Sequence, residues 1–352
     1  MTLPSATERW KTVRKIVWLT TVGLLLAWSV LLLYHKLIAE VSVDLVAKRL
    51  IDEGNLWADI TVIAQAIARS LANVSSGAYA FAGLSAVIAY VALAWYDRIA
   101  LIHLGKHRGI SWFYIAVCSF VTYALGHNLG ASVFSGGLVR YRAYSVKGLS
   151  ISEVTVLVAL CSFTFAFGTI MLMGVVFTYE PQVVLKLTGL IPRLDLPQAA
   201  IRLIGIALLL LCALYVYGSW RHFPPLNIRS LHLVYPRLPV VARQCFAAPI
   251  EVAAAAGIIY FVLPDAGHPG FMVVLGAFLL SFSAGLLSQT PGGIGVMEAV
   301  FLAIIDTVPP SDVVAALLIW RLMYLLIPLA VSIPVVIAFE RAQIRRTPGT
   351  SG

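Results

Sequence analysis

Thr122 to Ser150 read TYALGHNLGASVFSGGLVRYRAYSVKGLS, and this stretch decides the fold. It begins as an apolar helical pattern and meets Ser135-Gly136-Gly137. It then presents Arg140, Tyr141, Arg142, Tyr144 and Lys147. No formal charge occurs from Gly109 to Val139, a run longer than the ~20 residues that one membrane-spanning helix needs. The chain is therefore expected to go deep into a bilayer, break at the paired glycines and meet two arginines. Glycine permits irregular backbone. At membrane depth such backbone survives only where protein buries it or where it lines a wet cavity.

Composition points the same way. Of 352 residues, 60% are hydrophobic and only 12% charged, whereas a soluble domain carries about 25% charged residues. The chain reads as an all-α polytopic membrane protein. Cys118, Cys161, Cys212 and Cys245 fall in or beside apolar runs without paired spacing, which indicates neither a disulfide frame nor a metal site. Packing as small hydrophobes is the simpler reading. The net charge of +9 does not point to nucleic acid, because the basic residues lie in short loops between apolar runs. There is no P-loop, nucleophile elbow or dinucleotide fingerprint. The expectation is a transporter-like protein, not an enzyme, with no cofactor.

The apolar segments are 16–34, 71–96, 109–139, 154–179, 203–220, 244–264, 269–305 and 313–339. Six have the length of one span. The other two, 109–139 and 269–305, are too long, and each contains a glycine pair, Gly136-Gly137 and Gly292-Gly293. Each is either one span with an irregular end or a re-entrant hairpin. With a cytoplasmic N-terminus and two hairpins, the inner segments hold 17 Lys/Arg and the outer segments 7; with single crossings the split is 13 and 11. Cytoplasmic loops carry the excess of Lys/Arg, so hairpins are preferred. The expected architecture has about six full transmembrane helices, two re-entrant hairpins and both termini in the cytoplasm. Residues 1–340 form one integral-membrane unit. It includes a cytoplasmic N-terminus (1–15), amphipathic helices on the outer surface (41–70) and an inner loop (219–243). A disordered cytoplasmic tail (341–352) follows. Each half runs span, span, hairpin, span, and the last span opens on Ser152-Glu153-Val154 or Ser311-Asp312-Val313. That order is consistent with an inverted repeat.

After each glycine pair a helix is expected to begin, near Leu138 and near Ile294. The first N–H groups of a helix lack internal partners and the dipole adds positive character, so both ends suit a phosphate. Arg140 and Arg142 would add forked donors beside Gly136, Gly137, Gly292 and Gly293. The competing reading is that both arginines mark the hairpin's inner end and snorkel to the interface. Glu298, Arg321 and Glu251 are charges within apolar segments, where charge is expensive and faces a partner or a cavity. Glu298 with Arg321 is the expected pair. It is structural, or it offers Glu298 to a headgroup amine. His127, Asn128 and Tyr144 are candidate polar lining, although a lone histidine here is more often a packing residue.

The motif SGGLVRYRAYSVKGLS (135–150), with GHNLG (126–130) before it and TPGGIGVMEA (290–299) later, resembles the lipid-flippase domain of lysylphosphatidylglycerol synthases, the multiple peptide resistance factor family. The resemblance covers roughly Leu71 to Glu340. It implies a translocase that moves an anionic or aminoacylated phospholipid between leaflets of the cytoplasmic membrane. It also favours the phosphate-binding reading of Arg140 and Arg142. In that family a synthase domain makes the aminoacyl lipid. The expectation here is a standalone flippase-type domain, which leaves open a separate synthase as partner, a homo-oligomer, and another lipid such as a polyprenyl-phosphate carrier or a hopanoid precursor. A membrane-embedded lipid-modifying enzyme and a non-transporting partner of a synthase are the competing classes.

Overall fold

The computed structural model describes residues 56–129, 132–188, 196–223, 226–228, 231–233, 235–288 and 295–346. Segments 16–34 and 41–55, together with Gly292 and Gly293, lie outside the described residues. The protein is an all-α polytopic membrane protein. Five helices are long and apolar enough to cross a membrane. They correspond to five of the six expected single spans, and the sixth is 16–34.

Helix α1 (Leu56–Asn73) is the described part of the amphipathic segment. Its Ile67 and Leu71 pack on the core. Ser75 then caps α2 (Ser76–His103), its hydroxyl accepting from the Ala78 N–H at 3.1 Å. A long apolar run becomes a helical hairpin of α3 (Trp112–Leu129) and α4 (Ser132–Ser145). Ser150 and Glu153 form a reciprocal cap at the start of α5 (Ile151–Tyr179), which satisfies otherwise orphaned N–H groups. Short α6 (Gln182–Thr188) leads to α7 (Gln198–Trp220) and α8 (Leu238–Val262). The second long run forms α9 (Phe271–Ser288) and α10 (Val296–Ile304). The last span combines α11 (Pro310–Arg321), a π-turn (Leu322–Leu326) and α12 (Ile327–Arg346).

Contacts at the ends of these helices fix their directions. Tyr114, near the start of α3, donates to the Ala143 carbonyl near the end of α4 at 2.7 Å. Lys147 sits over the Tyr114 ring, 4.7 Å from its centroid. Both open ends of the first hairpin therefore lie together, beside the Lys106–Glu153 ion pair of 3.1 Å. At the other end of α5, Gly267 before α9 abuts Thr307 after α10. Lys186 on α6 reaches the Ile304 carbonyl at 2.9 Å and Asp306 at 2.6 Å. The two hairpins thus open toward opposite ends of the bundle.

The first glycine pair does not interrupt a helix. Helix α4 starts at Ser132 and runs through Gly136 and Gly137, so no helix begins near Leu138. A glycine inside a helix costs only about 1 kcal/mol relative to alanine. Here it permits close approach, because a Cβ on Gly136 would lie 3.2 Å from Cγ2 of Thr122 on α3. The stretch 219–243 is not wholly a loop: β1 (Leu226–Ile228) pairs antiparallel with β2 (Leu231–Leu233). Residues 341–346, expected to be disordered, continue α12. The run Glu340-Arg-Ala-Gln-Ile-Arg-Arg is made mostly of strong helix formers.

The core is built on small residues. Ala82, Ala86 and Ala89 of α2 face Ala255 and Ala256 of α8, and all are buried. Gly168 of α5 meets Ala248 of α8 so closely that a Cβ would overlap it. Lipid gives helices no hydrophobic reason to associate, so close packing carries the contact. Gly168→Ala is expected to cost about 1–3 kcal/mol through overpacking, read as a lower melting temperature in detergent; an unchanged melting curve would contradict this contact. Single cysteines at Lys147 and Gln182, both exposed, should label from opposite sides of the membrane. Labelling from one side would overturn the helix directions.

Candidate functional site

The site grows from one proline. Pro328 has no N–H, so the Tyr324 carbonyl four residues earlier loses its helical donor. The helix widens, and the Ile327 N–H reaches the Leu322 carbonyl. A carbonyl left over in a water-free interior must find another partner. Tyr90, at the middle of α2, donates its hydroxyl to the Tyr324 carbonyl at 2.9 Å. Asn128, near the inner end of α3, donates to the Leu325 carbonyl at 3.1 Å. Single π-turns inside α-helices recur at functional sites.

The Tyr324 side chain extends the assembly. Its ring stacks on Trp320 at 5.4 Å and on His127 at 5.5 Å. Its hydroxyl donates to Oε1 of Glu251 at 2.6 Å, and the Tyr96 hydroxyl donates to Oε2 at 3.3 Å. Glu251 is buried at the midpoint of α8. Two tyrosines, and no basic side chain among the described residues, hold it.

One residue before the π-turn, Arg321 forms a two-pronged ion pair with Glu298: Nη1 meets Oε1, and Nη2 lies 3.2 Å from Oε2. Glu298 also accepts the Gly295 N–H at 2.8 Å. Gly295 has φ 80°, a conformation glycine adopts without strain. The second helix start therefore falls at Val296, close to the expected Ile294. Its positive end already carries an anion, the carboxylate of Glu298. The inner ends of both hairpins thus converge on one turn, Asn128 and His127 from the first and Glu298 from the second.

Nearer the basic end lies a second buried charge centre. Arg140 on α4 and Asp97 on α2 are 4% and 0% exposed. Nη2 and Nε of Arg140 approach Oδ1 of Asp97 at 2.7 and 3.1 Å. The Tyr144 hydroxyl donates to Oδ2 at 2.9 Å, and the Cys161 thiol reaches Oδ1 at 3.4 Å. The guanidinium also lies 4.9 Å from the centroid of the Tyr123 ring. Arg140, expected to offer its donors to a lipid phosphate, is instead committed to Asp97, because an unpaired guanidinium at this depth is too costly. Tyr144, expected as polar lining, is fully buried in the same cluster. Arg142 is exposed two residues further on. Gly136 serves the α3–α4 contact, a Cβ on Gly137 would meet Val158 of α5 at 3.9 Å, and neither glycine stands at a helix start.

Asp97 escaped sequence reasoning because it stands one residue past the apolar segment 71–96. The signal was the apolar run that follows it, Ile99-Ala100-Leu101-Ile102. That run extends α2 to His103 and puts Asp97 about 9 Å inside the helix end, at 1.5 Å per residue. Tyr96 and Tyr324 were missed because single tyrosines in apolar runs resemble interface anchors.

Asp97→Asn or Arg140→Gln alone should cost about 3–5 kcal/mol by stranding the partner. The double variant Asp97→Leu/Arg140→Met should lose less than either single change. Exchanging Glu298 and Arg321 should likewise recover part of what either neutral single variant loses. Thermal unfolding in detergent checks both, and strict additivity would show that the pairs are not coupled.

No protein-family model matches the chain. Among curated proteins, it is 30% identical over 263 residues to the uncharacterized protein slr0712 of Synechocystis, covering 74% of this chain and 79% of that protein. It is 31% identical over 257 residues to the inner membrane protein YbhN of Escherichia coli, covering 70% of this chain and 75% of that protein. Over 88 residues it is 35% identical to the phosphatidylglycerol lysyltransferase of Staphylococcus aureus, covering 24% of this chain and 10% of that enzyme. With two relatives matched over most of their length, the chain belongs to the family of slr0712 and the inner membrane protein YbhN.

Proposed function

We propose that this protein is a phospholipid translocase of the bacterial inner membrane, moving an anionic or aminoacylated phospholipid between leaflets. The observation that carries the reading is the convergence of two oppositely opening hairpins on the π-turn beside Glu298 and Arg321. Similarity to an inner membrane protein supports the location. The local similarity to a phosphatidylglycerol lysyltransferase supports a phospholipid as substrate.

The physical obstacle in lipid translocation is the headgroup, since the acyl tails can stay in hydrocarbon. In this reading the hairpins are re-entrant, each entering and leaving on one face, and the two halves form an inverted repeat. Alternate opening toward each face would then expose one central site. Arg142 receives the phosphate near the basic face. Arg321 takes it at depth by exchanging its bond to Glu298 for one to phosphate oxygens, a geometry its fork suits. Glu298, released from Arg321, meets the amine of an aminoacylated headgroup. A separate synthase would supply such a lipid, and the protein itself performs no covalent chemistry. The Asp97–Arg140 cluster anchors α4 to α2 so that the first hairpin keeps its shape.

The test is reconstitution of the purified chain in vesicles with fluorescent phosphatidylglycerol in one leaflet. Translocation should exceed the protein-free rate. Arg142→Ala should lower it, and Arg321→Gln should lower it about tenfold, the effect of losing about 1.4 kcal/mol of headgroup stabilisation. A flux equal to protein-free vesicles would sink the proposal, and chemical conversion of the lipid would favour the enzyme class.

A further inference from the structure

Glu251 has no part in the headgroup path above, yet the protein keeps a carboxylate at the centre of its best-packed helix. Its neighbours on α8 are Val252, Ala255 and Ala256, all buried and apolar. A charge in such a place is expensive, and within membrane proteins it marks ion or proton pathways. The groups that face it are few. From α2 come Tyr96 and, one and a half turns away, Tyr90; the adjacent Asp97 is taken by Arg140. From the π-turn comes Tyr324, with His127 of α3 stacked on its far face. From α5, Thr164 and Cys161 have other partners, Gln244 and Asp97, and Tyr215 of α7 also bonds Gln244. Helix α9 carries no titratable residue. Arg321 of α11, which also packs against α8, is held by Glu298, so among the described residues hydroxyl donors alone bond the Glu251 carboxylate.

We propose that Glu251 is a proton-binding site that couples protonation to the shape of the π-turn. The inference rests on the translocase reading only for its consequence, not for the site itself. Ionised, Glu251 accepts from both tyrosines, and bonds to a charged acceptor are about twice as strong as neutral ones. A proton taken from the aqueous phase onto Oε1 turns that oxygen from acceptor into donor. The short bond from the Tyr324 hydroxyl is then lost or reversed. Tyr324 is the residue whose carbonyl Tyr90 holds and whose ring bridges His127 and Trp320, so its release loosens the turn on which both hairpins converge. A ligand shifts a conformational equilibrium only through unequal affinity for the two states. Here the inequality is the tyrosine bond, present in one state and weakened in the other. The proton returns to water when the turn re-forms, and a transmembrane pH difference thereby acts on the hairpins.

Two readouts separate the proton site from the translocase reading. Infrared difference spectra of the reconstituted full chain, from acidic to alkaline pH, should show a protonated-carboxyl band that Glu251→Gln lacks and Glu251→Asp retains. This arm needs no transport. In fluorescent-phosphatidylglycerol vesicles, a pH difference of about one unit should change the steady-state leaflet ratio by up to about tenfold for one coupled proton. In Glu251→Gln the ratio should be the same with and without the gradient. A band that persists in Glu251→Gln, or is absent from the wild type, overturns the site. Flux that responds to sodium but not to pH, or to neither, overturns the coupling. Absence of any flux with the infrared band intact leaves the proton site standing and rejects the translocase.

Discussion

A helix interrupted inside hydrocarbon leaves carbonyls and N–H groups that no water can satisfy, and the architecture of this protein follows from meeting that demand. Pro328 creates the vacancy at the Tyr324 carbonyl, which Tyr90 fills from α2, and Asn128 of α3 bonds the adjacent Leu325 carbonyl in the same widened turn. Gly295 exposes an N–H at the start of α10, and Glu298 fills that one. The bonds from Tyr90 and Asn128 reach across the bundle, so each also fixes a tertiary contact, and Glu298 caps its own helix while its pair with Arg321 ties that helix to the last span. The interruptions are therefore the points at which the helices are tied together.

The same logic governs the charges. Each of two arginines within the bundle, one buried and one half-buried, comes with a carboxylate from a different element: Asp97 of α2 for Arg140 of α4, Glu298 of α10 for Arg321 of α11. Buried pairs of this kind contribute little net stability over an apolar pair of equal volume, but removing one member is severe. Their value lies in register. One holds the first hairpin against α2 near the basic end. The other holds the second hairpin against the last span at mid-depth, where Arg321 adjoins the widened turn. Glu251 stands apart, bonded to hydroxyls only.

The placement of these groups separates scaffold from site. Around Asp97 everything is fully buried and multiply bonded, which suits a fixed anchor. Around the π-turn the bonds join elements that end or widen there, which suits a part that moves. Small residues on α2, α5 and α8 let the scaffold helices approach closely, while large apolar side chains such as Leu203, Leu210 and Phe246 face outward, as lipid contact requires.

Much of this was legible from the chain alone. Apolar run lengths located five of the described spans. The excess length of 109–139 and 269–305 marked the two runs that each divide into a pair of helices. The cost of charge in an apolar segment singled out Glu298, Arg321 and Glu251. These are one-dimensional properties, set by hydrophobicity and length. The role of Gly136-Gly137 was not legible, because the same two residues either break a helix or let another helix come close, and only Thr122 of α3 and Val158 of α5 decide. Nor was the commitment of Arg140, since its partner lies 43 positions away on another helix. The widening at Leu322–Leu326 required knowing that Tyr90 and Asn128 stand ready to donate to the carbonyls of that turn. Sequence determined where polar groups enter the membrane; tertiary structure decided which of them satisfy one another, because a hydrogen bond depends on distance in space and not on separation along the chain.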